Sequence, residues 1–84
     1  MDKKNVVNKN KLIIYTAPHC MKCLMAEKFC ANNDIDAEIK PMTEIVDRTL
    51  DMLFESGLQE TPILKRGEHW GSGFDIKFLK GEID

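Results

Sequence analysis

Two cysteines separated by two residues are the part of this chain best suited to chemistry. Cys20 and Cys23 fall where a β-rich run gives way to a helix-favouring run. Cysteines three apart on a helical turn lie about 5–6 Å apart between Cβ atoms, which allows a disulfide after small adjustment. Backbone N–H groups and the helix dipole stabilise a thiolate at a helix N-terminus, and Lys22 adds a positive charge. The spacing therefore predicts Cys20 as a nucleophile and Cys23 as its resolving thiol.

A Cys-x-x-Cys pair also occurs in zinc sites, which need four ligands. His19 is adjacent, but Cys30 lies on the same helix as Cys23, ~10.5 Å further along by helical rise. Cys30 therefore cannot share a metal or a disulfide with Cys23, and we expect it to be a small buried apolar residue. The spacing favours redox chemistry with no bound metal. A zinc or iron–sulfur module remains an alternative.

Composition restricts the setting in which such chemistry would occur. The 84 residues are 43% apolar and 31% charged, with a formal net charge of −2, which argues against a general nucleic-acid binder. No apolar run approaches the ~20 residues that cross a membrane, and the Lys-rich start lacks the apolar stretch of a secretory signal. Three cysteines without such a signal indicate a reducing, cytoplasmic setting. We expect a mobile tail over 1–10 and a single monomeric domain over 11–84.

Periodicity and helix-breaking residues predict alternating strands and helices. The predicted elements are strand 11–16, helix 21–33, strand 35–40, a helix capped by Thr43 that ends before Gly57, strand 61–66, strand 69–70, and a helix begun by a capping box at Ser72–Asp75. The order β-α-β-α-β-β-α predicts an α/β fold. Its four-stranded mixed sheet would have helices on both faces, a parallel β-α-β unit and an antiparallel final hairpin.

Apolar spacing predicts which helix faces are buried. In the first helix, Met25 and Phe29 lie four residues apart and are expected in the core. The second helix repeats the pattern with Val46, Leu50, Leu53 and Phe54.

Three motifs taken together resemble the thioredoxin superfamily, and within it the glutaredoxin-like redoxins, over residues 11–80. They are Tyr15-Thr16-x-x-x-Cys20-x-x-Cys23, Thr61-Pro62-Ile63, and His69-Trp70-Gly71-Ser72-Gly73-Phe74-Asp75. The last motif is most similar to NrdH-type redoxins, which are electron donors to ribonucleotide reductase. Gly71 departs from that group, whose members usually read Trp-Ser-Gly-Phe.

The resemblance implies a thioredoxin-like fold, a cis peptide bond before Pro62, and a dithiol–disulfide oxidoreductase that reduces protein disulfides, with ribonucleotide reductase as a client. The redox-active disulfide would be Cys20–Cys23, with no bound cofactor. Electrons would come from thioredoxin reductase and NADPH, or from glutathione. The implied substrate-binding residues are Tyr15, Met21, Lys22, Thr61, Pro62, Ser72, Gly73 and Phe74.

A glutathione-dependent glutaredoxin is the main alternative. Members that use glutathione commonly read Cys-Pro-Tyr-Cys, with a lysine three residues before the first cysteine. Here the middle pair is Met-Lys, and Ala17 occupies the lysine position. Phe74 also stands where those members offer an acidic residue. Three cations elsewhere could replace the missing lysine, namely Lys22, Lys65 and Arg66.

Overall fold

The computed structural model describes residues 10–83. Its elements are strand β1 (Leu12–Thr16), helix α1 (Met21–Asn32), strand β2 (Ala37–Pro41), a 3-10 turn (Met42–Glu44), helix α2 (Asp47–Glu55), strand β3 (Ile63–Arg66), strand β4 (His69–Ser72) and helix α3 (Ile76–Lys80). The predicted element order is confirmed. The N-terminal tail predicted to be mobile lies, apart from Asn10, outside these residues. No helix within them is long and apolar enough to cross a bilayer.

The four strands form one mixed sheet in the order β2-β1-β3-β4. Strand β1 runs parallel to β2, with Ile14 opposite Ile39, and antiparallel to β3, with Ile14 opposite Leu64. Strand β4 then pairs antiparallel with β3. This arrangement confirms the parallel β-α-β unit and the antiparallel edge. Strand β2 lies one or two residues further along the chain than predicted, and β3 begins two residues later, after Pro62.

Helices cover both faces of the sheet. Side chains alternate across each strand, so apolar residues point to both faces and each face needs a cover. One buried cluster, under α1 and α3, contains Leu12, Ile14, Ala26, Cys30, Leu64, Phe78 and Leu79. The cluster on the other face, under α2, contains Tyr15, Ile45, Leu53 and Ile63.

Helix α1 meets the sheet through a different face from the one predicted. Its buried residues are Cys23, Ala26 and Cys30, whereas Met25 is 43% exposed. Phe29 is only partly buried and packs edge-on against Phe74, with ring centroids 6.0 Å apart. The helix contacts the sheet through its smallest side chains, and Met25 is turned away because each residue advances about 100° around the axis. Cysteine and alanine thus form the buried stripe that Met25 and Phe29 were expected to form.

Helix α2 begins later than predicted, and Thr43 does not cap it. Thr43 lies inside the 3-10 turn, and the residue before α2 is Val46, which makes no side-chain capping bond. Val46 has extended rather than helical geometry and is 65% exposed, so it is not part of the buried helix face. Phe54 is also 43% exposed, and Leu53 alone is buried within α2.

Helix α3 is capped by Asp75 rather than by the predicted box at Ser72. The Asp75 carboxylate accepts a 3.2 Å hydrogen bond from the Phe78 backbone N–H, whereas Ser72 belongs to β4. Strand β4 is longer than predicted and passes directly against the core at Gly71. A Cβ atom on Gly71 would lie 2.8 Å from the Phe78 ring, so this close approach requires glycine.

Candidate functional site

The site is built around a disulfide at the start of α1. Cys20 and Cys23 are joined, with Cα atoms 5.2 Å apart. Cys20 has extended backbone geometry and caps the helix, because its sulfur accepts a 3.1 Å hydrogen bond from the Cys23 backbone N–H. Cys20 is half-buried and Cys23 is only 2% exposed. The accessible sulfur is therefore the one at the helix N-terminus.

A tight turn leads from β1 into this helix. His19 has a φ of 57°, in the left-handed region that few residues other than glycine adopt. Such a residue costs on the order of 1–2 kcal/mol and persists when the surrounding structure fixes it. This turn connects the end of β1 to Cys20.

The second motif lies directly against the sulfur pair. The Thr61–Pro62 peptide bond is cis, as the resemblance implied. The Thr61 Oγ1 atom is 3.2 Å from the Cys20 Sγ atom. The Pro62 carbonyl accepts a 2.8 Å hydrogen bond from the Gly73 backbone N–H, which connects this segment to the third motif. The fold thus brings residues from each of the three motifs of the resemblance to one edge of the domain.

Lys22 is paired with a residue that the sequence did not single out. Its Nζ atom lies 2.6 Å from the Glu60 Oε1 atom, and the two side chains are 52% and 64% exposed. The same Oε1 atom would be 2.9 Å from a Cβ atom on Gly73. Position beside the Thr61-Pro62 motif was the one sequence signal that could have identified Glu60. The charge of Lys22 is therefore matched by a carboxylate.

Two grooves flank the disulfide. One, of about 330 Å³, is lined by Cys20, Cys23 and the exposed apolar side chains of Met21 and Leu24. The other, of about 620 Å³, lies between α1 and the loop that joins β4 to α3. The predicted substrate-binding residues that line this second groove are Lys22, Ser72, Gly73 and Phe74.

Tyr15 lies apart from these grooves. Its ring stacks on Trp70, with centroids 6.2 Å apart and an angle of 26° between the planes. Tyr15 belongs to the buried cluster under α2 and lines a small pocket of about 180 Å³ with Trp70 and Val46. Tyr15 thus lies on the opposite face of the sheet from α1.

The other two cations considered for glutathione also have partners within the chain. The Lys65 Nζ atom lies 5.4 Å from the Trp70 ring centroid and donates a 2.7 Å hydrogen bond to the Gly67 carbonyl. Arg66 is 7% exposed, and its guanidinium donates to the carbonyls of Phe78 and Leu79 at 3.2 and 2.7 Å. Neither side chain lines the grooves beside the disulfide.

Cys30 is buried, as predicted, and is 4% exposed. Burial raises the pKa of its thiol, and the positive charge of Arg66 partly opposes that rise. Burial likewise lowers the pKa of the Arg66 guanidinium. Across residues 10–83, no group of three or more His, Cys, Asp or Glu side chains could hold a metal ion. Cys30 is therefore a core residue outside the site.

Comparison with known proteins gives matches at the level of structure. No protein-family model and no curated protein matches the sequence. The glutaredoxin-like protein NrdH-redoxin from Escherichia coli, which has a thioredoxin-like activity profile, matches with a TM-score of 0.64 and 22% identity, covering 82% of this chain and 90% of that one. The thioredoxin-like protein BC3987 matches with a TM-score of 0.63 and 22% identity, covering 87% of this chain and all of the other.

A point mutant of BC3987 also matches, with a TM-score of 0.60 and 22% identity over 82% of this chain and 93% of that one. The chain therefore has the thioredoxin-like fold, and the resemblance seen in its motifs is confirmed at that level. Within this fold it is a small domain with a Cys-x-x-Cys disulfide at the start of its first helix.

Proposed function

We propose that the chain is a dithiol–disulfide oxidoreductase that reduces disulfide bonds in other proteins. The observation that supports this most directly is the asymmetry of the disulfide. Cys20 is accessible at the N-terminus of α1, and Cys23 is 2% exposed behind it. A thiolate is the attacking species in exchange, so the accessible sulfur is the one suited to meet a partner.

In this mechanism the reduced chain acts in two displacement steps. The Cys20 thiolate attacks a partner disulfide, forms a mixed disulfide and releases one partner thiolate. The Cys23 thiolate then attacks Cys20, which closes the intramolecular disulfide and releases the second partner thiolate. The partner gains two electrons and, in water, two protons, while the chain ends oxidised. The Cys23 N–H and the Thr61 hydroxyl are placed to stabilise negative charge on Cys20 before the first step.

The partner would dock across the edge where the three motifs meet. Met21, which is 69% exposed, offers apolar contact beside the reacting sulfur. Thr61 lies against the sulfur, the buried Pro62 follows it in the chain, and the segment Ser72–Phe74 lines the larger groove. These residues are the substrate-binding set that we propose.

The proposed electron source is a protein, of the thioredoxin reductase type, working with NADPH. Each cation that could have replaced the lysine of glutathione-using members has a partner within the chain: Lys22 with Glu60, Lys65 with Trp70, and Arg66 with the end of α3. A glutathione carboxylate would therefore have to displace one of these partners. Ribonucleotide reductase is the proposed client, and a monomer in the reducing cytoplasm is the proposed setting.

Reduction of insulin disulfides under two electron supplies tests the proposal. One supply is thioredoxin reductase with NADPH, and the other is glutathione with glutathione reductase and NADPH. We expect turnover with the first, its loss in Cys20→Ser, and a mixed disulfide detectable by mass spectrometry in Cys23→Ser. Cys30→Ala is the matched control and should retain turnover. Full insulin reduction by Cys20→Ser would contradict the mechanism, and turnover with glutathione alone would favour a glutaredoxin.

A further inference from the structure

We propose that Glu60 is a specificity-determining residue of this site. Its carboxylate forms an ion pair with Lys22, and the positive charge of Lys22 is then less able to attract small anionic disulfides. The inference rests on the proposed exchange at Cys20 and concerns which disulfides reach that sulfur.

The position of the Lys22–Glu60 pair ties it to the reacting atom. Lys22 lies between the two cysteines in the first turn of α1, and its Nζ atom is 2.6 Å from Glu60 Oε1. Glu60 directly precedes Thr61, whose hydroxyl is 3.2 Å from the Cys20 sulfur. The pair therefore joins α1 to the segment before β3 next to the site of attack.

The pair also determines the charge of the larger groove. The charged side chains lining this groove are Lys22, Glu60, Asp75 and Lys77, which sum to zero formal charge. Removing the Glu60 carboxylate would leave a net positive wall. In water, the interaction free energy of two unit charges about 6 Å apart corresponds to about a threefold change in a rate constant. Glu60 thus removes a charge attraction that the lysine alone would give to an anionic disulfide.

The arrangement can be altered without unfolding the domain. Both side chains are more than half exposed, and exposed ion pairs contribute little to stability. Gly73 has no side chain where the Glu60 carboxylate lies, so the carboxylate can rest over the loop that follows β4. Substitution of either charged residue should therefore change the electrostatics of the groove and leave the fold intact.

Single-turnover exchange with small disulfides of different charge tests the inference. The reduced chain is mixed with bis(carboxymethyl) disulfide, which is anionic, with hydroxyethyl disulfide, which is neutral, or with cystamine, which is cationic. In each reaction the dithiol is oxidised to the Cys20–Cys23 disulfide, and the small disulfide is reduced to two thiols. Dividing each rate by that of the neutral disulfide removes any general change in the reactivity of Cys20.

We expect Glu60→Gln to raise the anionic-to-neutral ratio about threefold and to lower the cationic-to-neutral ratio by a similar factor. Lys22→Gln should shift both ratios in the opposite direction. The double variant should return near the wild-type ratios, because both charges of the pair are then gone. Glu68→Gln, which removes an exposed carboxylate at the β3–β4 turn, is the control and should leave the ratios unchanged.

Unchanged ratios in Glu60→Gln, or the same shift in the Glu68 control, would overturn this inference. The expected shifts should also shrink between 0.01 and 0.5 M salt, since salt screens exposed charges. A wild-type chain that reduces insulin but exchanges with none of the three disulfides would also overturn this inference alone, whereas a chain that reduces neither insulin nor the small disulfides would overturn the proposed function. The two failures are therefore distinguishable.

Discussion

The Thr61 hydroxyl lies 3.2 Å from the Cys20 sulfur, although the two residues are 41 positions apart in the chain. The Cys23 backbone N–H reaches the same sulfur at 3.1 Å from the helix side. Two donors from separate elements can therefore converge on the atom that would carry negative charge in the reduced protein. Hydrogen bonds to a charged form favour that form over the neutral one.

Replacing this hydroxyl should make the Cys20 thiolate harder to form. In Thr61→Val, which keeps the shape but loses the donor, we expect the reduced protein to react about tenfold more slowly with iodoacetamide at pH 7, since one hydrogen bond to a charged group contributes about 1.5 kcal/mol. The pH at which the reaction reaches half its maximum should rise. Thr61→Ser should behave like the wild type. A valine variant with an unchanged pH profile would show that the hydroxyl does not act on the thiolate.

The buried thiol of Cys30 should make stability depend on alkaline pH. Burial raises its pKa above the ordinary value of 9.0, so the unfolded chain releases this proton at a lower pH than the folded chain. The folded state therefore binds more protons between the two pKa values, and stability falls as pH rises through that interval. The decline should begin near pH 9 and should not exceed about 1.4 kcal/mol per pH unit.

Urea denaturation of the oxidised protein from pH 7 to 10, compared with Cys30→Ala, measures this effect. The difference in unfolding free energy between the two proteins should be constant below pH 8 and should change above pH 9 in favour of the alanine variant. Because the two proteins differ only at residue 30, the comparison isolates Cys30. A difference that stays constant to pH 10 would mean that the thiol ionises alike in both states.

Arg66 should be one of the most sensitive positions for stability. Its guanidinium donates to the carbonyls of Phe78, Leu79 and Asn10, which fastens β3 to the end of α3 and to the start of the described chain. Arg66→Lys keeps the charge but cannot reproduce this fork of donors. We expect a loss of about 1.5–3 kcal/mol in unfolding free energy by urea denaturation.

Arg48→Lys provides the matched control for this change, because Arg48 is exposed on α2. Its unfolding free energy should stay within about 0.5 kcal/mol of the wild type. Equal effects at the two positions would show that the buried hydrogen bonds of Arg66 contribute nothing measurable.

Local sequence signals were enough to predict the order of the elements and the proximity of the two cysteines. The β1–α1 junction could be predicted because a β-rich run, a proline and helix-favouring residues lie in sequence. The spacing of Cys20 and Cys23 then fixes their proximity on one helical turn. The cis bond before Pro62 depended on the resemblance, since most X–Pro bonds are trans.

Features that depend on contacts between residues far apart in the sequence could not be predicted in this way. Glu60 lies in a loop without periodicity, and its role depends on Lys22 from another element. Met25 fits a buried stripe by spacing, but α1 packs through Ala26 and its small neighbours because they allow a closer approach to the sheet. Val46 and Phe54 match a helical face, yet α2 begins only after Val46. Each of these features depends on tertiary packing, and the residue pattern of a single helix or strand carries no information about that packing.

The Cys20 sulfur has two structural roles, because the atom at the centre of the disulfide also terminates the first turn of α1. Any chemical change at this atom alters the acceptor that is available to the Cys23 amide. Formation of a new bond at the surface therefore changes a hydrogen bond of the helix backbone. The strength of this capping hydrogen bond thereby depends on whether the sulfur is free, bonded to Cys23 or bonded to another molecule. If the proposed exchange takes place at this sulfur, each of its steps also changes the hydrogen bond that caps α1.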